Sequence, residues 1–338
     1  HLPTFVTAMN LRPPMATTLA CTLLVCLALL HLRWGEVPMD ASDWWAALWG
    51  TGGPSPLHAT ILWEVRMPRM LTAASAGVLL GWLGMLLQTW FRNPLAGPGV
   101  LGITSGGSLG VALAVLAGLT APTWVAASAG CLTVLVLIAA AAKRFVSPVT
   151  TLVFGLMVSY AVGSAVTLLQ ASASAESLQS FIFWGMGTFG KSTLWQAGSL
   201  GALVLVSALW VVRRSGWLDT WTLGEDMAQT MGVPSAQFQG ELLLLSGIVV
   251  GWVTSLCGPL AFLGLATPHV HRFFSKARSH RAMMGGVAMW GAVLALLSDG
   301  VVRVTDAGGA HWPLNAVLAL FGAPVVVAVL WKRTLDWS

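Results

Sequence analysis

The sequence predicts an all-α integral membrane protein: a single membrane domain, residues 1–338, with about ten transmembrane helices. Of its 338 residues, 56% are hydrophobic and only 9% are charged, whereas soluble domains carry about 25% charged residues. A chain this apolar cannot cover a surface that faces water, so the solvent around it is lipid. The 37 Gly and 18 Trp residues agree, because membrane helices pack closely at Gly and are anchored at the interfaces by Trp.

Apolar segments long enough to cross a bilayer recur along the whole chain. A crossing takes about 20 mostly apolar residues. The predicted spans are 14–32, 67–91, 96–118, 122–142, 149–171, 194–212, 240–257, 259–271, 284–305 and 314–331. The third is rich in Gly and the eighth is broken at Pro268. Such segments are tolerated at membrane depth only when protein or a cavity surrounds them.

The Lys and Arg residues set the predicted orientation. Ten spans put both termini on one side, and cytoplasmic loops are enriched in Lys and Arg. With the N-terminus in the cytoplasm, 12 of the 17 basic residues lie inside: Arg12, Arg92, Lys143, Arg144, Arg213, Arg214, Arg272, Lys276, Arg278, Arg281, Lys332 and Arg333. The other five lie outside: Arg33, Arg66, Arg69, Lys191 and Arg303. The prediction is N-in and C-in.

The net charge of +5 does not indicate a nucleic-acid partner, because the basic residues form no stripe. They lie in short groups between apolar segments. The four cysteines also lie in apolar stretches and form no CxxC pair: Cys21, Cys26, Cys131 and Cys257. They are typical of small core residues rather than of a disulfide framework or a metal site.

Two local motifs suggest chemistry that the rest of the sequence does not support. Residues 185–192 match the phosphate-binding pattern GxxxxGK(S/T), but that loop works between a strand and a helix of an α/β domain. The topology also places Lys191 outside. His269 and His271 lack a nearby Cys, Asp or Glu that would complete a metal site. We therefore predict no bound nucleotide, no metal site and no catalytic residue in this chain.

One inner loop is predicted to form a short helix outside the membrane, at about 222–233. Thr222 is expected to cap its N-terminus. Glu225 and Asp226 lie in its first turn, where the helix dipole favours negative charge. Gly232 followed by Pro234 is expected to end it.

This short helix has an apolar face. Leu223, Met227 and Met231 recur at four-residue spacing. Because an isolated helix of about two turns is marginal in water, that face must pack on something. The sequence leaves two possibilities open, a protein partner or the lipid surface.

Several sequence blocks occur in one order between Glu64 and Arg333. They are Arg66-Met-Pro-Arg69; Phe91-Arg-Asn-Pro-Leu-Ala96 with Gly97-Pro-Gly99 and Ser105-Gly-Gly107; Leu223-Gly-Glu225 through Gly232; Gly258-Pro-Leu-Ala-Phe-Leu-Gly264 and Pro268-His269; Asp299 with Arg303; Pro313-Leu-Asn315; and Gly322-Ala-Pro324. In these blocks the chain resembles the FecCD-type permeases, the membrane subunits of ATP-driven importers for iron–siderophore complexes, haem and cobalamin.

The resemblance implies an assembly in the bacterial inner membrane. Two copies of the chain would form a homodimer around a translocation path for a bulky metal chelate. Two cytoplasmic ATPase subunits would bind ATP and Mg, and a periplasmic binding protein would deliver the substrate. The chain itself would be a transport subunit that binds no cofactor and is not an enzyme.

The resemblance also implies roles for particular residues. The 222–233 helix would couple the chain to the ATPase through Leu223, Gly224, Glu225, Met227, Ala228, Met231 and Gly232. Arg66, Arg69 and Arg303 would face acidic residues of the binding protein, because the planar guanidinium can bind a carboxylate bidentately. Asn93 and Leu95 would form a cytoplasmic gate.

Each of these roles has a plainer alternative. Arg303 follows Asp299 by four residues, and the two could simply pair on one helix face. Arg66 and Arg69 could instead extend to lipid phosphates, and an Asn-Pro pair favours a turn by itself.

The other functional class left open is an ion-coupled secondary transporter that does not use ATP. The almost charge-free spans count against it, since such transporters usually need ionisable residues at membrane depth.

Overall fold

The structure, a computed structural model, describes residues 13–35, 37, 39–50, 56–144, 148–309 and 311–335. Arg12, counted above among the inner basic residues, lies outside the described residues. The described part of the chain is helical and contains no β-strand. The helices are α1 (Pro13–Arg33), α2 (Ala41–Trp49), α3 (Pro56–Thr60), α4 (Met67–Trp90), α5 (Ile103–Val115), α6 (Thr123–Ala142), α7 (Pro148–Ala171), α8 (Ala175–Gly185), α9 (Leu194–Trp221), α10 (Glu225–Thr230), α11 (Ser235–Cys257), α12 (Leu263–Phe274), α13 (His280–Ala307) and α14 (Leu314–Leu335). The predicted all-α fold is confirmed.

Each of the ten predicted spans coincides with a helix, and within the described ranges seven of these helices are long and apolar enough to cross a membrane. The seven are Met15–Arg33, Leu57–Trp90, Thr123–Ala142, Val149–Ala171, Leu194–Trp221, Ser235–Cys257 and His280–Asp306. The other three predicted spans coincide with α5, α12 and the apolar part of α14, Leu314–Ala328. The predicted count of ten is therefore approximate.

The predicted span 96–118 is too long because its first residues do not form α-helix. Residues Pro98–Leu101 form a 3₁₀ turn, and Gly102 adopts a φ of +73° before α5 begins. A Cβ at Gly102 would meet the carbonyl oxygen of Gly155. The Gly-rich start of this segment therefore serves a close contact between the turn and α7.

Helix α4 lies at the centre of the bundle. Most of its side chains are buried, and α4 packs against α9, α12 and α13. A Cβ at Gly77 would overlap the Gly291 carbonyl of α13, and a Cβ at Gly84 would overlap the Gly264 carbonyl of α12. The close backbone approach that glycine allows between membrane helices is therefore present on both sides of α4.

The outer helices carry apolar side chains that the bundle does not bury. Leu168 on α7 and Leu205 on α9 are largely exposed, and most of α1, α6 and α7 is likewise open. An apolar helix face of this kind suits lipid or another membrane subunit. Two ends of the bundle can be distinguished, the α10 end and the opposite end, where Arg66 and Arg303 lie.

Candidate coupling, gate and docking sites

The short helix at the α10 end differs from the predicted 222–233 helix at its start. Helix α9 continues to Trp221, so Thr222 lies in the turn after α9, and its hydroxyl donates to the Asp219 carbonyl at 2.7 Å. Helix α10 begins at Glu225, and its N-cap is Gly224 with a φ of +116°. The predicted cap at Thr222 is wrong, because a reversal this tight needs the conformational freedom of glycine at 224.

The end of α10 follows the predicted signals. Gly232 adopts a φ of +88°, and the Val233 amide donates to the Ala228 carbonyl at 2.9 Å. This hydrogen bond spans six residues across the left-handed Gly232. It gives a partner to a carbonyl near the end of α10 that has none within the helix. Pro234 then precedes α11. The resulting helix has six residues, Glu225–Thr230.

The predicted apolar face of this segment is exposed. Leu223, Met227 and Met231 are 63%, 51% and 60% exposed, whereas Ala228 is fully buried against the bundle. We call Leu223, Met227 and Met231 the coupling stripe. Three large apolar side chains on a segment outside the seven long apolar helices require cover, and nothing in the described part of the chain covers them.

Glu225 fixes α10 to α11. Its carboxylate accepts a hydrogen bond from Gln239 at 2.9 Å. Burial raises the pKa of the Glu225 carboxyl, although the Gln239 hydrogen bond and the positive charge of Arg92 act in the opposite direction. Glu225 therefore has a positioning role, and the helix presents the coupling stripe rather than this carboxylate.

The predicted gate residues form a turn at the end of α4. The side-chain oxygen of Asn93 accepts a hydrogen bond from the Leu95 amide at 2.9 Å, and both residues are exposed. The turn is tight enough that Arg92 adopts a φ of +47°. We call residues 91–96 the gate turn.

His269 holds the gate turn to α12. Its Nε2 atom lies 2.8 Å from the Pro94 carbonyl oxygen. Arg272 donates to Gln88 at 2.8 Å, which fixes the last turn of α4 to the same helix. Within the described ranges no group of three or more metal-binding side chains occurs, and the geometry gives His269 a structural role.

The sequence motif at 185–192 does not form an open phosphate cradle. The amides of Met186, Gly187 and Thr188 donate to the chain's own carbonyls, and the Gly190 amide donates to the Thr188 hydroxyl. Phosphate binding by such loops requires several free, converging backbone N–H groups. These amides are already used, and Lys191 is exposed.

At the opposite end of the bundle Arg66 is almost completely buried. Its side chain is 2% exposed and donates to the carbonyls of Leu32 and Arg33, at 2.9 and 2.7 Å, and to that of Val37. The guanidinium thus ties the end of α1 to the π-helical turn Ile61–Arg66 that precedes α4. Its docking role stays a prediction, and in this conformation its donors serve the chain's own backbone.

Arg69 is the main partner of the buried carboxylate Asp299. Its Nε and Nη2 atoms lie 2.9 Å from the two carboxylate oxygens, a bidentate geometry, and His31 contacts the same carboxylate at 3.2 Å. Arg303 is farther away, with its Nε 3.9 Å from Asp299, and it donates to the carbonyls of His31 and Trp34. The i,i+4 pairing of Arg303 with Asp299 therefore exists but is the weaker of the two.

A cavity of about 300 Å³ opens beside these arginines. Arg69 and Arg303 are 17% and 14% exposed. The lining residues are Trp34, Gly35, Val37, Ile61, Val65, Arg66, Arg69, Arg303 and Asp306. Three guanidinium groups face two carboxylates, the buried Asp299 and the lining Asp306. The one positive charge that remains favours an acidic group in the cavity.

Comparison with known proteins gives close relatives. The FecCD transport family matches residues 23–332. The chain is similar to the vitamin B12 import system permease protein BtuC of Salmonella typhi, with 32% identity over 319 residues, 93% of this chain and 94% of the relative. It is also similar to the protein of the same name from Citrobacter koseri, with 31% identity over 314 residues and 92% of each chain.

Solved structures show the same fold. A protein described as a metal-chelate type ABC transporter in an inward-facing conformation matches with a TM-score of 0.82 and 27% identity, over 94% of this chain and 99% of that one. PsaBC from Streptococcus pneumoniae, solved with a Fab, matches in fold with a TM-score of 0.52 and 14% identity, over 78% and 89% of the two chains. Because the family match spans most of the sequence, this chain belongs to the FecCD transport family.

Proposed function

We propose that this chain carries a bulky metal chelate, and most specifically a corrinoid, inward across the bacterial inner membrane by alternating access. The chain is a membrane permease subunit of an ATP-binding-cassette (ABC) importer, and the energy comes from ATP hydrolysis on separate cytoplasmic subunits. The corrinoid is chosen because similar proteins, at 31–32% identity, are named vitamin B12 import permeases. Iron–siderophore complexes and haem are the competing cargoes.

The observation that carries this proposal is the exposed coupling stripe on residues 223–231, the segment that contains helix α10. Helix α10 is held by Glu225 and by the fully buried Ala228, so it moves with the bundle. An apolar stripe presented by a rigid element suits insertion into a groove on a partner protein. A lipid-surface helix would instead carry Lys and Arg beside its apolar face, whereas 222–233 contains none.

The transport path belongs to a homodimer in this proposal. The exposed apolar faces of the outer helices provide both the lipid contact and the contact with a second copy. Asn93 and Leu95, exposed on the gate turn, narrow the path at the α10 end. The α10 end faces the cytoplasm, in agreement with the distribution of Lys and Arg.

The cavity beside Arg69 and Arg303 is where an acidic side chain of the periplasmic binding protein docks. Arg66 contributes charge to this cavity rather than a direct contact, because its side chain is 2% exposed and three of its N–H donors already bond to backbone carbonyls. A carboxylate that reaches Arg303 would find a partly exposed guanidinium that Asp299 only weakly neutralises.

The test is uptake into proteoliposomes that contain this chain, its ATPase and its binding protein. Cobalamin, a ferric siderophore and haem are offered in parallel, with and without ATP. We expect accumulation of cobalamin that requires both ATP and the ATPase subunit. Accumulation that follows an ion gradient and ignores ATP would instead establish the ion-coupled class, and accumulation of another chelate would correct the cargo.

A further inference from the structure

A series of hydrogen bonds at the α10 end, buried at His280 and Thr89 and partly exposed at Asp219, belongs to none of the sequence blocks described above. Asp219 lies in the last turn of α9, three residues before the turn that leads to α10. Its Oδ1 atom accepts from the His280 backbone amide at 2.8 Å and contacts His280 Nδ1. The Nε2 atom of His280 lies 2.7 Å from the Thr89 hydroxyl on α4. We call Asp219, His280 and Thr89 the α9–α13–α4 link.

The proton positions in this link follow from the chemistry of its ends. A carboxylate can only accept, so His280 Nδ1 carries a proton that it donates to Asp219. The Thr89 hydroxyl also lies 3.1 Å from the Met85 carbonyl of its own helix. It therefore either donates its single proton to His280 Nε2 of a neutral imidazole, or donates it to Met85 and accepts from the Nε2–H of an imidazolium. Both arrangements make the His280–Thr89 contact a hydrogen bond. His280 and Thr89 are both buried, and a polar group there that lost its partner would be left without water to replace it. The three helices are therefore held in one relative arrangement.

Both ends of the link adjoin parts of the proposed transport machinery. Thr89 is followed by Trp90 and then by the gate turn, and the Arg92 amide donates to the Thr89 carbonyl at 3.1 Å. Asp219 is followed by Trp221, whose indole donates to the Trp90 carbonyl at 3.2 Å. The link thus spans from the base of α10 to the base of the gate turn.

A second contact joins the same two segments. A Cβ added to Gly224 would lie 3.4 Å from Arg92 Nη1, and the charge of Arg92 acts on Glu225. The start of α10 and the gate turn are therefore direct neighbours, in addition to being connected through the α9–α13–α4 link. A displacement of α9 that carries α10 must either move the gate turn with it or break buried hydrogen bonds.

We propose that Asp219, His280 and Thr89 are positioning residues that transmit movement of the coupling segment to the gate turn. This inference rests on the proposed function, because it names the residues through which the ATPase-driven movement reaches the gate. A link of this kind requires evidence of coupling and not only of proximity. A double-mutant cycle supplies it, because residues that act in one series do not give additive effects.

The experiment compares Thr89→Val, Asp219→Ala and their double variant in the reconstituted importer, with cargo transported per ATP hydrolysed as the readout. Alanine is used at 219 because asparagine would keep the Oδ1 acceptor to which both His280 contacts go. We expect each single variant to lower that ratio about fivefold, the factor to which the loss of one internal hydrogen bond corresponds. We expect the double variant to be no more impaired than the more impaired of the two single variants. Thr89→Ser, which keeps the hydroxyl, should retain the original ratio.

Matched controls separate transmission from general loss of packing. Thr267→Val alters another buried threonine, whose hydroxyl donates to the Leu263 carbonyl of its own helix, as the Thr89 hydroxyl does to the Met85 carbonyl. Asp43→Ala removes the carboxylate of an Asp–His pair with His58 far from the α10 end. Both should leave cargo per ATP unchanged. Additive losses in the double variant, or an equal loss in Thr267→Val, would overturn the proposal.

A readout without ATP or cargo keeps this test independent of the proposed function. Amide hydrogen exchange of residues 92–96 is measured in the full chain in lipid nanodiscs. Thr89→Val and Asp219→Ala should each accelerate this exchange about fivefold, again without additivity, while Thr267→Val should not. Unchanged exchange in both link variants would overturn the link, whereas ATP-independent uptake by the unaltered importer would overturn only the proposed function.

Discussion

Individual charged residues divide into those that hold the bundle and those that remain open to a partner. Arg66 donates to three backbone carbonyls, and Asp299 is enclosed by Arg69 and His31. Unpaired charges at such depth are costly, so these groups stabilise the junction of α1, α4 and α13. Arg303 differs from Arg69, which borders the same cavity, because its ion pair with Asp299 is long and leaves its charge less neutralised.

This difference makes Arg303 the residue at which docking can be tested. Arg303→Gln removes the charge and keeps a polar side chain. We expect about tenfold weaker binding of the binding protein, on the order of 1.4 kcal/mol. Binding is measured with the full importer in nanodiscs. Lys191→Gln, which neutralises an exposed basic residue outside the cavity, is the control, and equal affinities for both variants would refute docking at Arg303.

For individual residues, the sequence predicts which side chains belong to the functional sites better than it predicts which groups those side chains contact. Arg66, Arg69, Arg303 and Asp299 stand in recognisable blocks, but the sequence contains no sign that Arg69 rather than Arg303 holds Asp299. That pairing depends on how α4 and α13 are placed side by side. His280 and Thr89 were missed for the same reason, because their contact joins residues 191 positions apart and neither belongs to a local motif.

Among the elements, α4 shows how glycine sets the distance between helices. Gly77 and Gly291 place the backbones of α4 and α13 in direct contact, and each would clash with the other's carbonyl if it carried a Cβ. Small residues at a helix interface allow this approach in a membrane, where the hydrophobic effect does not drive helices together.

Gly77→Ala is therefore expected to destabilise the chain. Overpacking of this kind typically costs about 1–3 kcal/mol, and it should lower the midpoint of thermal unfolding in detergent. Gly198→Ala is the matched control, because Gly198 is also helical and has no neighbouring atom within 4 Å of an added Cβ. Equal midpoints for the two variants would show that the Gly77–Gly291 contact is not tight in the folded protein.

The sequence predicts a helix boundary well where residues at that boundary determine it. It predicts the boundary poorly where the length of the preceding helix determines it. Gly232 and Pro234 end α10 as expected, since a left-handed glycine works through its own backbone. The start was misplaced at Thr222 because α9 runs on to Trp221 and takes that residue into its own C-terminal turn. The length of a long helix depends on its packing against other helices, and a capping residue in the sequence carries no information about that packing.

For the molecule as a whole, the hydropathy of the sequence is enough to predict an all-α membrane fold. It predicts ten spans, of which seven coincide with helices long and apolar enough to cross a membrane within the described ranges.

The orientation of the chain in the membrane is an independent prediction from the distribution of Lys and Arg. Lys191→Cys and Gln229→Cys, placed singly in a variant without the native cysteines, should react with a membrane-impermeant maleimide from opposite sides. Both positions are exposed. Labelling of both from the same side would contradict the topology.

The central claim is that a separate ATPase drives this permease through the coupling stripe, and one comparison tests it most directly. Met227 and Met157 are both 51% exposed, but Met157 lies in the apolar span Val149–Ala171, whereas Met227 lies in the stripe. The affinity of the ATPase subunit for the full chain in nanodiscs is measured for Met227→Ala and Met157→Ala. We predict about tenfold weaker binding, roughly 1.4 kcal/mol, for Met227→Ala alone. Unchanged binding in Met227→Ala, and in Met227→Glu, would contradict the account.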